Sequence, residues 1–261
     1  MGCCASKGRG YAANQTTMWR STGIVALRDR GLRALPREVL EVDKFIRTLD
    51  LTNNKIAMIP MEISKLFNMQ RLVLAQNIIE RLPASLGDIH SLKVLTLDAN
   101  KLRTLPDELG FLVRLEQLSV AGNMLTSLPE TLGNLKNLLI LSVSNNNLKY
   151  LPQSIGSCLA LEEVRANDNS IEDLPPSICQ LIHLKSLSLN NNRLHKLPPM
   201  LLRECKALQN ISLHENPISM EQFQQTEGFQ DFEARRKRKF DKVIDSNVMI
   251  NSRGLDEGID F

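Results

Sequence analysis

An α/β solenoid, with a parallel sheet on its concave side and short helices or turns on its convex side, is the fold class predicted by three regularities in this sequence. Asparagines fall at Asn54, Asn77, Asn100, Asn123, Asn146, Asn169 and Asn192, each 23 residues after the last, and Asn216 follows after 24. Around each of them an apolar frame recurs, as in Leu92, Leu95, Leu97, Leu102, Leu105, Leu109 and Leu112 about Asn100. Eight of the eleven prolines (Pro36, Pro60, Pro83, Pro106, Pro129, Pro152, Pro175 and Pro198) share one place in that frame.

Leu95 and Leu97 stand two apart, the spacing at which side chains share one face of a strand, so both point inward and Thr96 points out. The asparagine follows where the chain leaves the strand. Its amide both donates and accepts, which suits it to join backbone groups of neighbouring coils in a ladder. Proline then opens the return segment: its fixed φ suits the first turn of a helix, and the L-x-x-L after it supplies one convex turn or short helix. Gly87, Gly110, Gly133 and Gly156, also 23 apart, stand just past it, where a positive φ is expected to reverse the chain. No such unit can bury its apolar face alone, so the units must stack. Period and pattern, L-x-x-L-x-L-x-x-N-x-L-x-x-L-P-x-x-L-x-x-L, resemble the leucine-rich repeat and imply its horseshoe.

The units occupy residues 22–218, about nine including caps. The first, Val25 to Leu35, has Arg30 in place of the asparagine, and the last, Leu208 to Ile218, lacks a full return segment; both read as caps. Residues 219–244 carry Met220, Phe223, Phe229, Phe232, Phe240, Val243 and Ile244 at a loose helical spacing broken by Glu227-Gly228, which predicts one or two helices closing the open end and carrying a basic run. Residues 1–21 are expected to be a disordered tether, with Trp19 packed on the first repeat, and residues 245–261 a disordered acidic tail.

Hydrophobic residues reach 43% while aromatics stay at 4%, so leucine carries the core. No uninterrupted apolar run approaches the ~18 residues of a membrane-spanning helix. A formal charge of +3 gives no global reason to expect nucleic acid. Five cysteines, an odd number without the paired pattern of secreted repeat proteins, together with a polar, basic start, point to a reducing compartment. The sequons at Asn14 and Asn210 are therefore discounted. His90, His183, His195 and His214 are scattered, and no metal-ligand spacing or catalytic motif occurs, so neither metal, cofactor nor enzymatic activity is expected.

The amino terminus carries the most specific chemistry. Met1-Gly2-Cys3-Cys4-Ala5-Ser6 fits the N-myristoylation pattern in full, with Gly2 as acceptor and Lys7 and Arg9 suited to anionic lipid. One myristoyl chain binds membranes only marginally; Cys3 and Cys4 stand where palmitoylation would supply the second signal. Location at the cytoplasmic face of a membrane, the plasma membrane first, is expected, with cytoplasm the place of unacylated chains. Arg235, Arg236, Lys237, Arg238 and Lys239 form a second basic feature, open to three readings: a nuclear-localisation patch, an anionic-lipid contact or a solvated helix face. Glu227, Asp231, Glu233, Asp241 and Asp245 offset much of its charge. Nine strands at ~4.8 Å put this run roughly 40 Å from the tethered end, so both ends meet one bilayer only if the solenoid lies along it.

Outward strand positions define a candidate partner face of small polar residues. It holds five acids (Asp50, Asp98, Glu163, Asp168, Glu215), two arginines (Arg71, Arg165) and no aromatic. A phosphate backbone is a poor partner for it, and a protein partner held by polar contacts is expected. Arg71, Asp98, Arg165, Asp168 and Glu215 are the chosen anchors. A flat face without a pocket also argues against small-molecule chemistry, and a monomer is expected.

The return segment, as in Leu82-Pro83 through Ile89 or Leu128-Pro129 through Leu135, resembles the intracellular Ras-group leucine-rich repeat proteins. The Met1-Gly2 start, Gly31-Leu32-Arg33-Ala34-Leu35-Pro36 and the ending Glu227-Gly228-Phe229 before a basic stretch are similar to the leucine-rich repeat-containing protein 57 type, from which the Cys3-Cys4 pair and the acidic tail depart. That resemblance implies a non-enzymatic interaction protein, with a small GTPase or phosphatase among its partners. Two functions follow: a lipid-anchored signalling scaffold or adaptor, and a regulatory or targeting subunit of a phosphatase or ubiquitin ligase.

Overall fold

The computed structural model describes residues 15–245 and 259–260, so Gly2, Cys3, Cys4 and most of the C-terminal tail lie outside the described residues. Strands β1 (Ile24–Ala26), β2 (Thr48–Asp50), β3 (Arg71–Val73), β4 (Val94–Thr96), β5 (Gln117–Ser119), β6 (Ile140–Ser142), β7 (Glu163–Arg165), β8 (Ser186–Ser188) and β9 (Asn210–Ser212) pair in parallel, in sequence order. The register advances by one repeat at each step, Leu72 facing Leu95 and Leu95 facing Leu118. Each strand sends its central leucine, valine or isoleucine inward, and the core so formed runs the length of the solenoid without interruption.

The asparagine ladder explains why coils stack in this register. Asn123 Nδ2 donates to Leu97 O of the preceding coil (3.0 Å) and to Val120 O of its own (2.9 Å), while its Oδ1 accepts from Leu102 N–H of the preceding coil (3.0 Å). The same set recurs at Asn77, Asn100 and Asn146. Each amide thus satisfies buried backbone groups of the coil before it. The departure at Arg30 follows directly, because the first unit has no preceding coil to serve, and its own Arg30 and Leu32 N–H groups are taken by Asn54 Oδ1.

Two backbone expectations are corrected. Positive φ does not fall at Gly87, Gly110, Gly133 or Gly156; it falls at the residue before each ladder asparagine, with values of 53 to 55° at Asn53, Gln76, Ala99, Asn145, Asp168, Asn191 and Glu215, and 65° at Gly122. The chain reverses there, at a cost of about 1–2 kcal/mol per non-glycine residue that the ladder offsets. The glycine row instead permits close approach. A Cβ on Gly110 would stand 2.5 Å from Thr131 O of the next coil, and one on Gly87 2.3 Å from Glu108 O. The second correction concerns proline. Pro60, Pro83, Pro106, Pro129, Pro152 and Pro175 precede the 3₁₀ segments Met61–Lys65, Ala84–Asp88, Asp107–Phe111, Glu130–Asn134, Gln153–Ser157 and Pro176–Gln180 as extended N-caps, rather than sitting in their first turn. Their carbonyls accept the N–H three residues on, as in Leu109 N–H to Pro106 O (3.2 Å).

The ends are closed differently. Residues 15–22, of which 15–21 were expected to belong to the tether, form helix α1, whose Trp19 is buried in the first coil; the first return segment is a true helix, α2 (Arg37–Glu41). At the other end α3 (Leu201–Glu204) replaces the 3₁₀ segment, and α4 (Met220–Gln224) opens with a reciprocal cap between Ser219 and Gln222. In α5 (Phe229–Asp245) Phe232 is fully buried and meets Phe223 edge to face, centroids 6.0 Å apart. Ile259–Asp260, from the tail expected to be disordered, form β10, paired in parallel with β9. No helix among the described residues is long and apolar enough to cross a membrane.

Removing one rung tests the ladder. Asn123→Ala leaves Leu102 N–H without a partner, while Leu97 O keeps Asn100 Nδ2 and Val120 O keeps Asn146 Nδ2; it should lower the unfolding free energy by about 2–3 kcal/mol in urea titration, and a loss under ~1 kcal/mol would contradict the role assigned to it.

Candidate protein-binding face

The outward positions line the concave wall in three rows. In the middle row concavity itself hides side chains: Asp50, Ser119 and Ser142 are buried, shielded by the neighbouring strands. Asp50, expected on the open surface, accepts from Arg28 Nε (2.7 Å), Thr52 N–H (3.0 Å) and Thr52 Oγ1 (2.6 Å). Burial pushes its carboxyl upward, but the hydrogen bonds from Arg28 and Thr52 and the guanidinium charge outweigh this and hold it below the usual carboxylate value.

A second ladder runs beside the strands. Asp98 Oδ1 accepts from Ala121 N–H (2.8 Å) and Ser119 Oγ (2.6 Å); Ser144 Oγ accepts from Asn167 N–H (3.2 Å); Asn167 and Asn190 pass the same contact on to Asn190 and His214 N–H (both 2.9 Å). Asp98 is therefore committed to joining coils. Both internal donors bond Oδ1, so a partner would meet Asp98 through its other oxygen.

The other four anchors differ in freedom. Arg71 is exposed at the start of β3 and makes no side-chain hydrogen bond or ion pair among the described residues. Arg165 is exposed but pairs along its own strand, Nε to Glu163 Oε1 at 2.7 Å. Asp168 occupies a positive-φ corner and accepts from Asn191 Nδ2 at 2.8 Å. Glu215, at the last such corner, stands 3.2 Å from His214 Nε2. Arg71 on β3 and Arg165 on β7 are thus separated by four strand spacings, roughly 19 Å. Between them Gln117, Ser119, Ala121, Ile140, Ser142 and Ser144 form a small, uncharged floor.

The basic run divides. Arg235 is half-buried, its Nη2 donating to Leu202 O (2.7 Å) and its Nε to Leu208 O (3.1 Å), so it seals the carbonyls of the last coil; burial lowers its pKa. Arg236 is half-buried and lies 3.3 Å from Glu233. Lys237 and Arg238 remain exposed on α5, and Lys239 continues that helix. Reading all five as lipid contacts is corrected for Arg235, whose guanidinium is occupied.

One surface was missed by sequence reasoning. Phe67, Val113, Leu159 and Ile182, each following the last apolar residue of a return segment, are about half exposed (49 to 52%) on the flank where the chain comes back to the sheet, with Phe111 beside them. The signal was present at multiples of 23 residues, but His90 and Lys136 interrupt it and the position lies outside the repeat frame. Exposed apolar rows of this kind mark contact surfaces.

Chemistry beyond binding finds little support. Burial pushes the Cys158 thiol up to about 11 and the Cys205 thiol up to about 12, which keeps both protonated and unreactive near neutrality. Among the described residues no group of three His, Cys, Asp or Glu is placed to hold a metal ion.

The leucine rich repeat family matches residues 46–102, 114–135 and 160–218. Plant intracellular Ras-group-related LRR protein 7 of Oryza sativa subsp. japonica is 76% identical over 261 residues, 100% of each chain. The chain belongs to the plant intracellular Ras-group-related leucine-rich repeat family. Among solved structures, a chain of the octameric complex of latrophilin 3, Unc5D and FLRT2 (LRR) superposes with a TM-score of 0.66 at 23% identity, covering 75% of this chain and 61% of that one. Internalin C2 of Listeria monocytogenes gives 0.66 at 21%, covering 76% and 83%. At these identities the likeness shows the fold alone, a leucine-rich-repeat solenoid; the leucine-rich repeat is a domain type used for protein–protein interaction.

Asp50 supplies a pH test. Its folded pKa is depressed, so its contribution is present above the unfolded value of about 3.9 and is lost as pH falls through the folded one. Asp50→Asn should cost about 1.5 kcal/mol at pH 7, with the difference from the parent shrinking below about pH 4 in urea titrations; a pH-independent difference would refute the ionic role.

Proposed function

We propose that this protein is a membrane-anchored, non-enzymatic scaffold or adaptor in intracellular signalling, which holds a protein partner against its concave sheet. The observation that carries this reading is the wall itself: an open parallel sheet of small polar side chains, with Arg71 on β3 unpaired among the described residues and Arg165, Asp168 and Glu215 grouped from β7 onward. A partner with charges of both signs spaced over roughly 19 Å fits it. The flank bearing Phe67, Val113, Leu159 and Ile182 adjoins the sheet and supplies the apolar contact that the wall lacks. A small GTPase or a phosphatase is the partner class carried from the family resemblance. Anchoring rests on Met1-Gly2-Cys3-Cys4-Ala5-Ser6: acyl groups on Gly2 and on Cys3 or Cys4 together meet the two-signal requirement.

Two measurements test the halves separately. Gly2→Ala should move the protein from the membrane to the soluble fraction of cells, and persistence on membranes at the parent's level would remove the anchoring claim. Affinity capture with the parent and with Arg71→Glu should yield a partner that the variant retains about tenfold less, a loss of ~1.4 kcal/mol typical of an exposed interface arginine. A partner retained only in its triphosphate state identifies a GTPase. Equal retention by parent, Arg71→Glu and Phe67→Ser would place the binding surface elsewhere.

A further inference from the structure

The convex face is closed between successive 3₁₀ segments and open at its first coil, where α2 takes their place. Gly87, Gly110, Gly133 and Gly156 let successive 3₁₀ segments touch backbone to backbone. The equivalent places before the row are Ser64, whose 3₁₀ segment still meets Ala84–Asp88 through Ser85 Oγ and Met61 O (2.7 Å), and Glu41 in α2, which stands off from Met61–Lys65. A groove of about 720 Å³ results, floored by Leu35, Leu40, Ala57, Met58 and Pro60 and edged by charged side chains including Arg37 and Lys65. Its size falls within the range of small-ligand sites, and Met58 in its lining is 74% exposed. The coil lacking this glycine near the other end, at Cys179, leaves a groove of only about 350 Å³.

We propose that this groove is the docking site of the acyl chain carried by Gly2 of the same molecule, so that the lipid is sheltered in cis when the protein is off the membrane. The proposal rests on the acylation reading above. The position of the chain end argues for this occupant. Gln15, where the described chain begins, lines a hollow with Trp19, Leu27, Leu32 and Pro36, and Pro36 adjoins Leu35 in the groove floor. Twelve residues lie between Gly2 and Gln15. They span ~20 Å as a random coil and up to ~45 Å extended, enough to bring the acyl group from that hollow into the groove. A single myristoyl chain binds bilayers weakly, so a protein groove competes with the membrane on comparable terms and makes anchoring adjustable.

The test uses full-length protein made with and without N-myristoyltransferase, methyl-labelled at methionine, with intact mass reporting acylation. Without membranes, acylation should shift the Met58 methyl resonance, assigned through Met58→Leu, and leave that of Met124 in place. Met58→Glu, at an exposed site that leaves the urea midpoint unchanged, should raise binding of the acylated protein to phosphatidylserine-containing vesicles about fourfold for each acyl methylene that the groove no longer shelters. No acyl group in the intact mass would bring down the anchoring reading and this proposal with it. With the acyl group present, an unmoved Met58 resonance or unchanged vesicle binding by Met58→Glu would overturn the groove alone and leave the anchor standing.

Discussion

Stacking coils 23 residues long creates a difficulty that leucine cannot solve: where each coil turns away from the sheet, backbone N–H and C=O groups are buried with no strand partner. The ladder asparagines resolve it. One carboxamide supplies the donor and the acceptor needed by the coil before it, and also ties its own turn. Because every amide reaches one coil back, it sets both the spacing and the register of the sheet, and the interior leucines pack in the space it defines. Aliphatic burial drives the stacking, at about 1.5–3 kcal/mol per fully buried leucine, but it is non-directional. Direction comes from the amides.

That arrangement frees the outer surfaces for other work. On the concave wall, parallel strands bring equivalent residues side by side, so small side chains such as Ser119 and Ser142 are screened by their neighbours while the long Arg71 and Arg165 project. Asp98, Ser144, Asn167 and Asn190 reinforce the wall from outside by bridging to backbone amides of the next coil. The wall is stiff and hydrogen-bonded on both sides, a preorganised surface that loses little entropy on binding.

The two ends are chemically distinct, and both depart from the repeat for local reasons. The first coil is sealed by Trp19 from α1 and carries a helix in place of a 3₁₀ segment, which opens the convex groove. The last is sealed by Phe223 and Phe232, with Arg235 closing the final carbonyls. A repeat needs such caps because its terminal coils would otherwise present bare leucines to water.

Period, strand faces, core leucines and the ladder were legible in the sequence because each depends on a neighbour at a constant offset, and a solenoid converts sequence offset into spatial adjacency. Arg30 as a departure was legible; its cause, the absence of an earlier coil, needed the direction of the amide contacts. The glycine row was visible, but steric pressure from Thr131 O or Glu108 O on a hypothetical Cβ is a relation between coils, and only the stacked structure revealed that contact rather than φ selects glycine. The candidate site was read less well. Outward register placed Arg71, Asp98, Arg165, Asp168 and Glu215 on the correct wall, yet which of them are free depends on side chains 21 to 24 residues away, as with Ser119 and Ala121 at Asp98. Sequence by itself determined the repeat and the orientation of its faces, since these follow from periodicity; tertiary structure decided which polar groups remain available and where the convex face opens, since both depend on how closely neighbouring coils approach.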